Sequence, residues 1–190
     1  ALALLGWSTE NEIFSIDELI ESFKLENVQK AAAVFDLKRF NWVSSQQLAK
    51  LDENSFFEVI KPFMEDEDIS EDYPNYKKIL LAMRTSKTNL KDIAHATRPF
   101  FFELDGYEEK GVKKFLNESL ETLTFALEVL SKLTEWNETE LDMALIKVRD
   151  YFNLPIPKVN QPMRIALVGS TVSPSLAVSY THLTLPTMMS

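Results

Sequence analysis

The sequence contains no cysteine, few glycines and few histidines, and each shortage excludes a class of protein. Without cysteine there is neither a disulfide framework nor a zinc site built from thiolates. Four glycines and eight prolines in 190 residues argue against a turn-rich all-β fold. The glycines are isolated, so there is no Gly-rich phosphate loop, and the two histidines, His95 and His182, form no metal-binding pair. These shortages disfavour a stand-alone metal-dependent enzyme.

Charge is unevenly distributed along the chain. The formal net charge is −9, whereas a generic nucleic-acid-binding domain is basic. Segment 52–72 holds nine acidic residues and one lysine, but segment 77–98 holds six basic residues and one aspartate. Attraction to phosphate falls off within about 8–10 Å at physiological salt, so the local sign matters more than the total. The basic segment is therefore either an RNA-binding stripe or a solvated mixed surface.

The periodicity of apolar residues is helical almost throughout, which predicts an all-α fold. Segment 15–18 (Ser-Ile-Asp-Glu) has the pattern of a capping box and predicts a short helix through Phe23. Segments 55–58 (Ser-Phe-Phe-Glu) and 137–140 (Asn-Glu-Thr-Glu) predict two further helix starts. The third of these helices should bury one face, made of Leu141, Ala144, Leu145, Val148 and Phe152.

The longest helix is predicted over 108–133. Its buried stripe would be Val112, Phe115, Leu116, Leu123, Leu127 and Leu130. Segment 154–157 (Leu-Pro-Ile-Pro) predicts a stiff connector, because both prolines fix φ and lack a donor. The acidic run 65–68 lacks the glycine and spaced glutamate of a calcium loop, which favours a solvated helix end. His95 is expected to be a partly exposed helical residue rather than a catalytic base.

The segment from Pro162 to Pro174 (Pro-Met-Arg-Ile-Ala-Leu-Val-Gly-Ser-Thr-Val-Ser-Pro) has the features of a recognition corner. It places one arginine beside a turn whose backbone groups are free. Together with segments 2–8, 13–20 and 33–37, it resembles the C-terminal half of bacterial-type glutamyl-tRNA synthetase, a class I aminoacyl-tRNA synthetase. The four motifs occur in the family's order between about Leu2 and Leu176.

The resemblance implies an all-α fold of two successive helical subdomains that form an anticodon-binding cage. Residues 1–97 would be the stem-contact end and the first subdomain, and residues 98–176 the second. Residues 177–190 lack the family's basic amphipathic helix and are interpreted as the product of a frame error or a foreign junction, without structural weight. The family's His-x-Gly-His and Lys-x-Ser-Lys motifs lie upstream of Ala1 in family order, so this chain should not activate glutamate.

The resemblance also implies partners and location. The partner would be tRNA-Glu, with tRNA-Gln as a further candidate, bound by a cytoplasmic monomer. No cofactor is expected in this chain, because ATP and magnesium belong to the family's catalytic domain. No signal peptide is visible, and the uncharged stretch 165–190 is interrupted by Gly169, Pro174 and Pro186, so no membrane contact is expected. An acidic helical module that binds a partner helix in a Phe-rich groove, with no RNA role, is the alternative function.

The resemblance identifies Arg164 as the arginine that contacts an anticodon base, since a planar guanidinium can stack on a base and bond its edge. Ser173, Pro174 and Leu176 match the adjacent turn. Ser173 would supply a polar contact, and Pro174 with Leu176 an apolar surface for a ring face. Alternatively, Arg164 caps or pairs with a neighbouring helix, and Ser173 and Pro174 begin a helix as N-cap and first residue.

Arg84, Ser86 and Lys87 complete the predicted RNA-binding set. The family has Arg-x-Arg here, and its second arginine is associated with the third anticodon base. In this sequence Arg84 takes the first position and Ser86 the second. Lys87 could substitute, although a lysine lacks the bidentate fork, so strict discrimination between tRNA-Glu and tRNA-Gln is in doubt. No catalytic or metal-binding residue is predicted. The three tryptophans, Trp7, Trp42 and Trp136, are expected in the core.

Overall fold

The computed structural model describes residues 7, 13–28, 34–176 and 179–180. Within these residues the chain is helical, and the single β contact is an isolated bridge between Trp7 and Val28. The α-helices are α1 (Ile16–Ser22), α2 (Leu37–Lys50), α3 (Glu53–Asp66), α4 (Tyr76–Met83), α5 (Leu90–Thr97), α6 (Glu109–Gly111), α7 (Leu120–Ser131), α8 (Glu138–Phe152) and α9 (Ile156–Val168). The all-α prediction is confirmed. No helix in this part of the chain is long and apolar enough to cross a membrane.

Two of the three predicted helix starts are confirmed. The Ser15 hydroxyl accepts from the Glu18 amide at 3.2 Å, and the Glu18 carboxylate accepts from the Ser15 amide at 2.7 Å, which completes the capping box of α1. The Asn137 side chain accepts from the Glu140 amide at 3.0 Å and caps α8. Four of the five residues predicted on the inner face of α8 are buried, and the fifth, Phe152, is partly buried and packs against them.

The predicted start at Ser55 is wrong. The N-cap of α3 lies three residues earlier, at Asp52, whose carboxylate accepts from the Ser55 amide at 3.0 Å. The Ser55 hydroxyl donates to the same carboxylate at 2.5 Å. An aspartate is at least as good an N-cap as a serine, so the earlier residue takes the position and Ser55 becomes its partner.

The continuous helix predicted over 108–133 is also wrong, because the segment is divided. Helix α6 continues into a π-helical turn (Val112–Leu116), and α7 starts only at Leu120. The face of α7 that is buried consists of Thr122, Ala126, Val129 and Leu130, while the predicted core residue Leu127 is 62% exposed. A π turn shifts the phase of a helix, so the stripe extrapolated across it is only partly right. The predicted Leu130 is buried and the predicted Leu123 is partly buried, but Leu127 lies outside the buried face.

Three prolines lie at the start of α9 or inside it, which differs from the prediction. The connector between α8 and α9 is shorter than predicted, since Pro155 is the N-cap of α9 and Pro157 lies in its first turn. Pro162, expected to begin a recognition corner, lies inside α9 and is buried. The corner therefore begins later, at Gly169, which ends the helix.

The buried side chains form two hydrophobic clusters. The first lies among α3, α4 and α5 and includes Phe56, Leu80 and Phe100; Phe101 and Phe102 pack against it. The second lies among α7, α8 and α9 and includes Leu141 and Met163. Helix α9 reaches both clusters, because Val168 belongs to the first and Met163 to the second. The end of α9 is thus held from two sides. The predicted division near residue 97 remains a prediction.

Three expectations about packing need correction. Trp7 is buried as expected, but Trp42 and Trp136 are 44% and 36% exposed. Part of segment 177–190, which was given no structural weight, is packed. Ser179 is fully buried, and Tyr180 lies against the second cluster. The centres of the Tyr180 and Trp136 rings are 6.1 Å apart. Most of the predicted tail, 177–178 and 181–190, lies outside the described residues.

Candidate nucleic-acid interface

Arg164 is fixed against the turn that follows its own helix. Its Nε donates to the Ser173 hydroxyl at 2.9 Å, and its Nη2 donates to the Pro174 carbonyl at 3.3 Å. Arg164 therefore lies beside the Ser173–Pro174 turn, as predicted. The prediction that the backbone groups of this turn are free is wrong, because the Pro174 carbonyl accepts from Arg164 and the Gly169 carbonyl accepts from the Glu108 amide. These two hydrogen bonds fix the orientation of the guanidinium plane, since Nε and Nη2 on one edge are bonded to Ser173 and Pro174.

The cation of Arg164 is desolvated without being paired. The side chain is half-buried, and burial lowers the pKa of the guanidinium from its ordinary value. Among the described residues no carboxylate lies within salt-bridge distance of it, and its Nη1 makes no hydrogen bond. A half-buried cation that has only neutral acceptors retains capacity for an additional acceptor from outside.

Gly169 produces the turn that brings Ser173 back to Arg164. Its φ of +69° lies in the left-handed region, and its amide donates to the Ile165 carbonyl at 2.9 Å, as expected of a helix C-cap. A Cβ atom at this position would lie 2.6 Å from the Gly106 carbonyl oxygen. Both the backbone angle and the close approach therefore require glycine here.

Glu108 anchors the same turn from the start of α6. Its amide donates to the Gly169 carbonyl at 2.8 Å, and its carboxylate accepts from the Thr171 amide at 3.0 Å and from the Thr171 hydroxyl at 2.8 Å. These hydrogen bonds, with Lys87 and Lys110 nearby, hold the pKa of the Glu108 carboxyl below its usual range. Sequence reasoning missed Glu108, because the contact spans 63 residues and no local pattern marks it.

The residues predicted around Arg164 divide into two groups. Ser173 and Pro174 are partly exposed beside the guanidinium, where an RNA base could reach them. The Leu176 side chain is only 2% exposed and belongs to the second cluster, so the expectation that it offers an apolar surface to a base is wrong. The expected helix start is also displaced: the Ser179 amide donates to the Ser175 carbonyl at 2.9 Å, which makes Ser175 the N-cap in place of Ser173.

Arg84 is engaged within the protein. Its Nε donates to the Leu48 carbonyl at 2.9 Å, its Nη2 donates to the carbonyls of Leu48 and Leu51, and the guanidinium lies 5.1 Å from the centre of the Phe56 ring. These carbonyls belong to the last turn and the C-cap of α2, where a cation satisfies groups that the helix leaves without donors. A role of Arg84 in RNA binding remains a prediction.

Ser86 and Lys87 lie in the loop between α4 and α5. The Ser86 hydroxyl donates to the Met83 carbonyl at 2.6 Å at the end of α4. Lys87 lines a cavity of about 650 Å³ together with Gly169, Ser170 and Val172 of the turn. The structure thus brings Lys87 to the same turn that holds Arg164, although the two residues are far apart in sequence. Ser86 itself does not line this cavity.

The charged side chains around this cavity are partly paired with one another. Arg98 bonds the Glu67 carboxylate at 3.2 Å and reaches Asp105 at 3.4 Å. His95 is 74% exposed, as predicted, and its Nδ1 lies 3.2 Å from Glu67. The acidic run 65–68 occupies the end of α3, in agreement with its interpretation as a helix end. In the part of the chain that is described, no group of three or more His, Asp or Glu residues is arranged to bind a metal ion.

The class of the protein follows from its helical fold together with a match to a known domain family. The sequence matches the anticodon-binding domain family over residues 17–183, and the chain belongs to that family. The match extends past Leu176 and includes the helical residues Ser179 and Tyr180.

Similar proteins specify the class further. The chain is 32% identical over 184 residues to a glutamate–tRNA ligase of Thermodesulfovibrio yellowstonii, a match that covers 92% of this chain and 39% of that protein. It is 31% identical to glutamate–tRNA ligase 1 of Caldanaerobacter subterraneus over 92% of this chain and 38% of the relative. The crystal structure of a glutamate–tRNA ligase from Elizabethkingia meningosepticum superposes with a TM-score of 0.73 at 25% identity and covers 96% of this chain. The chain therefore corresponds to the C-terminal half of these ligases and spans about two fifths of their length.

Proposed function

We propose that this chain binds the anticodon arm of tRNA-Glu as the RNA-reading part of a glutamate–tRNA ligase. One observation carries the proposal: the half-buried guanidinium of Arg164 has no carboxylate partner among the described residues and is held in place by Ser173 and Pro174 within an anticodon-binding domain. The protein-interaction alternative has no support among the relatives.

The chemistry of Arg164 suits an unstacked base. Ser173 and Pro174 bind one edge of the guanidinium, so Nη1 can donate to a base edge while the flat face stacks on a ring. Because burial disfavours the unpaired cation, an acceptor supplied by RNA offsets a cost that is already present in the free protein. This role requires a base that is splayed out of its stack, which is the usual state of bases in RNA loops.

A second contact is proposed at the cavity near Lys87. An ammonium group at that position can bind a phosphate or a base oxygen, but it cannot provide two parallel donors. We therefore expect the third anticodon base to be read weakly, so that tRNA-Gln binds nearly as well as tRNA-Glu. Glutamate activation and ATP binding are assigned to the part of the ligases that this chain does not match.

The function is tested with hairpin RNAs that carry the anticodon arm of tRNA-Glu. Replacing Arg164 with alanine should weaken binding by roughly 1–3 kcal/mol, the scale of base stacking and edge contacts. Arg164→Lys should recover only part of the loss, because it keeps the charge but not the planar fork.

Base specificity distinguishes this role from a simple phosphate contact. Arg164→Ala should reduce the preference for the cognate anticodon over substituted anticodons, whereas loss of a phosphate contact weakens all RNAs alike. If the alanine variant stays folded and keeps the full preference, Arg164 is structural and the proposed site is wrong.

A further inference from the structure

A second cavity lies on the other side of the anchored turn. It measures about 350 Å³ and is lined by Lys110, Lys114, Phe115, Gln161 and Thr171, with Gly111 and Glu108 at its edge. Gln161 precedes Arg164 by three residues on α9, and Thr171 precedes Ser173 by two residues. The cavity therefore adjoins the site of Arg164 along both the helix and the turn.

Gln161 lines the cavity, and its amide oxygen lacks a hydrogen bond within the described residues. Within the described residues the Gln161 Oε1 atom is buried and has no partner. An unsatisfied buried oxygen is energetically unfavourable. No hydrogen bond to Oε1 from a described residue holds the carboxamide in its present orientation. Turning the group toward the cavity breaks no hydrogen bond of Oε1 and presents one donor group and one acceptor to a ligand.

The rim of the cavity is cationic. In the described part of the chain, neither Lys110 nor Lys114 has a carboxylate within salt-bridge distance, unlike their neighbour Lys113, which lies 3.6 Å from Glu109. The one acidic group at the edge, Glu108, already accepts two hydrogen bonds from Thr171. Two exposed ammonium groups and one carboxylate that is engaged with Thr171 leave an excess of positive charge at the cavity, which favours an anionic ligand.

An aromatic ring, that of Phe115, also lines the cavity. The π-helical turn carries Lys114 and Phe115 on consecutive positions, and π turns are frequent at functional sites. The ammonium of Lys114 lies 5.0 Å from the centre of the Phe115 ring. An exposed contact of this kind is weak, so the ammonium can exchange the ring for a phosphate and leave the ring to a base.

We infer that this cavity binds one nucleotide of the RNA next to the base at Arg164. Lys110 and Lys114 bind its phosphate, Phe115 stacks on its base, and the Gln161 amide bonds the edge of that base. The inference rests on the proposed function, because it assumes that the RNA is bound at the turn.

The first test is the salt dependence of binding to the anticodon hairpin by the full chain. The double variant Lys110→Gln/Lys114→Gln should bind roughly tenfold more weakly, and the slope of log affinity against log salt should fall by about 0.7 for each lost phosphate contact. The matched control is Lys38→Gln/Lys50→Gln, which removes two exposed charges from α2. Equal effects of the two double variants would overturn the inference, because they would show general attraction to an acidic RNA.

The second test identifies the nucleotide. Hairpins with one abasic site at each loop position in turn are bound to the wild-type chain and to Gln161→Leu, which keeps the size of the side chain and removes its amide. We expect Gln161→Leu to lose about five- to tenfold in affinity and to become insensitive to the abasic site at one position adjacent to the base that Arg164 reads. Phe115→Leu should lose sensitivity at that same position.

The outcomes separate the two proposals. If Arg164→Ala changes the anticodon preference while Gln161→Leu keeps the wild-type abasic profile, the nucleotide site is wrong and the proposed function stands. If the lysine variants lose affinity and salt dependence while the Gln161 variants bind as the wild type does, the cavity provides a phosphate contact only and the inference is overturned. If the wild-type chain binds no hairpin, both fall. Thermal unfolding verifies that the variants fold, and Gln161→Glu, which preserves the shape of the side chain, replaces Gln161→Leu if the latter unfolds.

Discussion

Two half-buried arginines have opposite relations to their surroundings. Arg84 donates to the last carbonyls of α2 and lies over the Phe56 ring, so its cation is matched by acceptors from the protein. Arg164 has two neutral acceptors on one edge and no carboxylate within reach among the described residues. Both residues belong to the same predicted RNA-binding set, and their different contacts lead us to expect that Arg84 contributes mainly to stability and Arg164 mainly to binding.

Replacing Arg84 with alanine should mainly lower stability. The change leaves the Leu48 and Leu51 carbonyls without a donor, and hydrogen bonds from a charged group contribute about 1.5–3 kcal/mol. Urea unfolding should show this loss, while affinity for the anticodon hairpin should fall less than it does for Arg164→Ala. Lys91→Ala removes one exposed charge from α5 and should change stability by no more than about 0.5 kcal/mol. An Arg84→Ala variant with unchanged stability and strongly reduced RNA affinity would show that Arg84 belongs to the interface.

At the scale of elements, the turn after α9 is fixed by its glycine. Gly169→Ala forces a left-handed backbone on a residue with a Cβ and directs that atom at the Gly106 carbonyl 2.6 Å away. We expect a loss of about 1–3 kcal/mol in the free energy of unfolding, together with weaker RNA binding, because the turn carries Ser173. Gly106→Ala is the control, since a Cβ there meets nothing within 4 Å. Equal stabilities of the two variants would contradict this account of the turn.

The hydrogen bonds between Glu108 and Thr171 predict that the stability of the fold depends on pH. Its carboxyl has a lowered pKa in the folded chain relative to the ordinary value of 4.5, because the charged form accepts hydrogen bonds from Thr171. A carboxyl with a depressed pKa contributes stability above its unfolded value, and that contribution disappears as the pH falls through the folded value. The wild type should therefore melt at a higher temperature than Glu108→Gln at neutral pH.

This difference in melting temperature should close as the pH falls below 4.5. The contribution is small, since the group is largely exposed to solvent. Glu109→Gln removes a neighbouring charge that makes no contact with the turn and serves as the control. A difference between wild type and Glu108→Gln that is constant from neutral to acidic pH would show that the Thr171 contact does not depend on the charge.

The elements show which features a sequence can predict. Local capping patterns placed the starts of α1 and α8, because each involves residues three apart. The π turn after α6 left no local mark, so the sequence predicted one long helix where the structure has two. The same holds for the site. Arg164 and the Ser173–Pro174 pair were found together from the motif, whereas Glu108 and the cavity at Gln161 depend on contacts between distant segments.

At the scale of the whole molecule, the two hydrophobic clusters meet at the end of α9. Val168 packs into the first cluster and Met163 into the second, so the residue that lies between them in sequence, Arg164, is carried by a helix held on both sides. A rigid support of this kind lowers the entropic cost of binding a base in one geometry. A net charge of −9 is compatible with the proposed RNA binding, since the proposed interface depends on a few fixed groups rather than on overall charge.

The most direct test of this account compares two RNAs of equal length and charge. One is the anticodon hairpin of tRNA-Glu, and the other has the same stem with a scrambled loop. We predict that the full chain prefers the first by at least about tenfold, that the affinity weakens as salt rises, and that Arg164→Ala removes most of the preference. Equal binding of the two hairpins by a folded wild-type chain, or a preference that survives in Arg164→Ala, would contradict the central claim that Arg164 reads the anticodon.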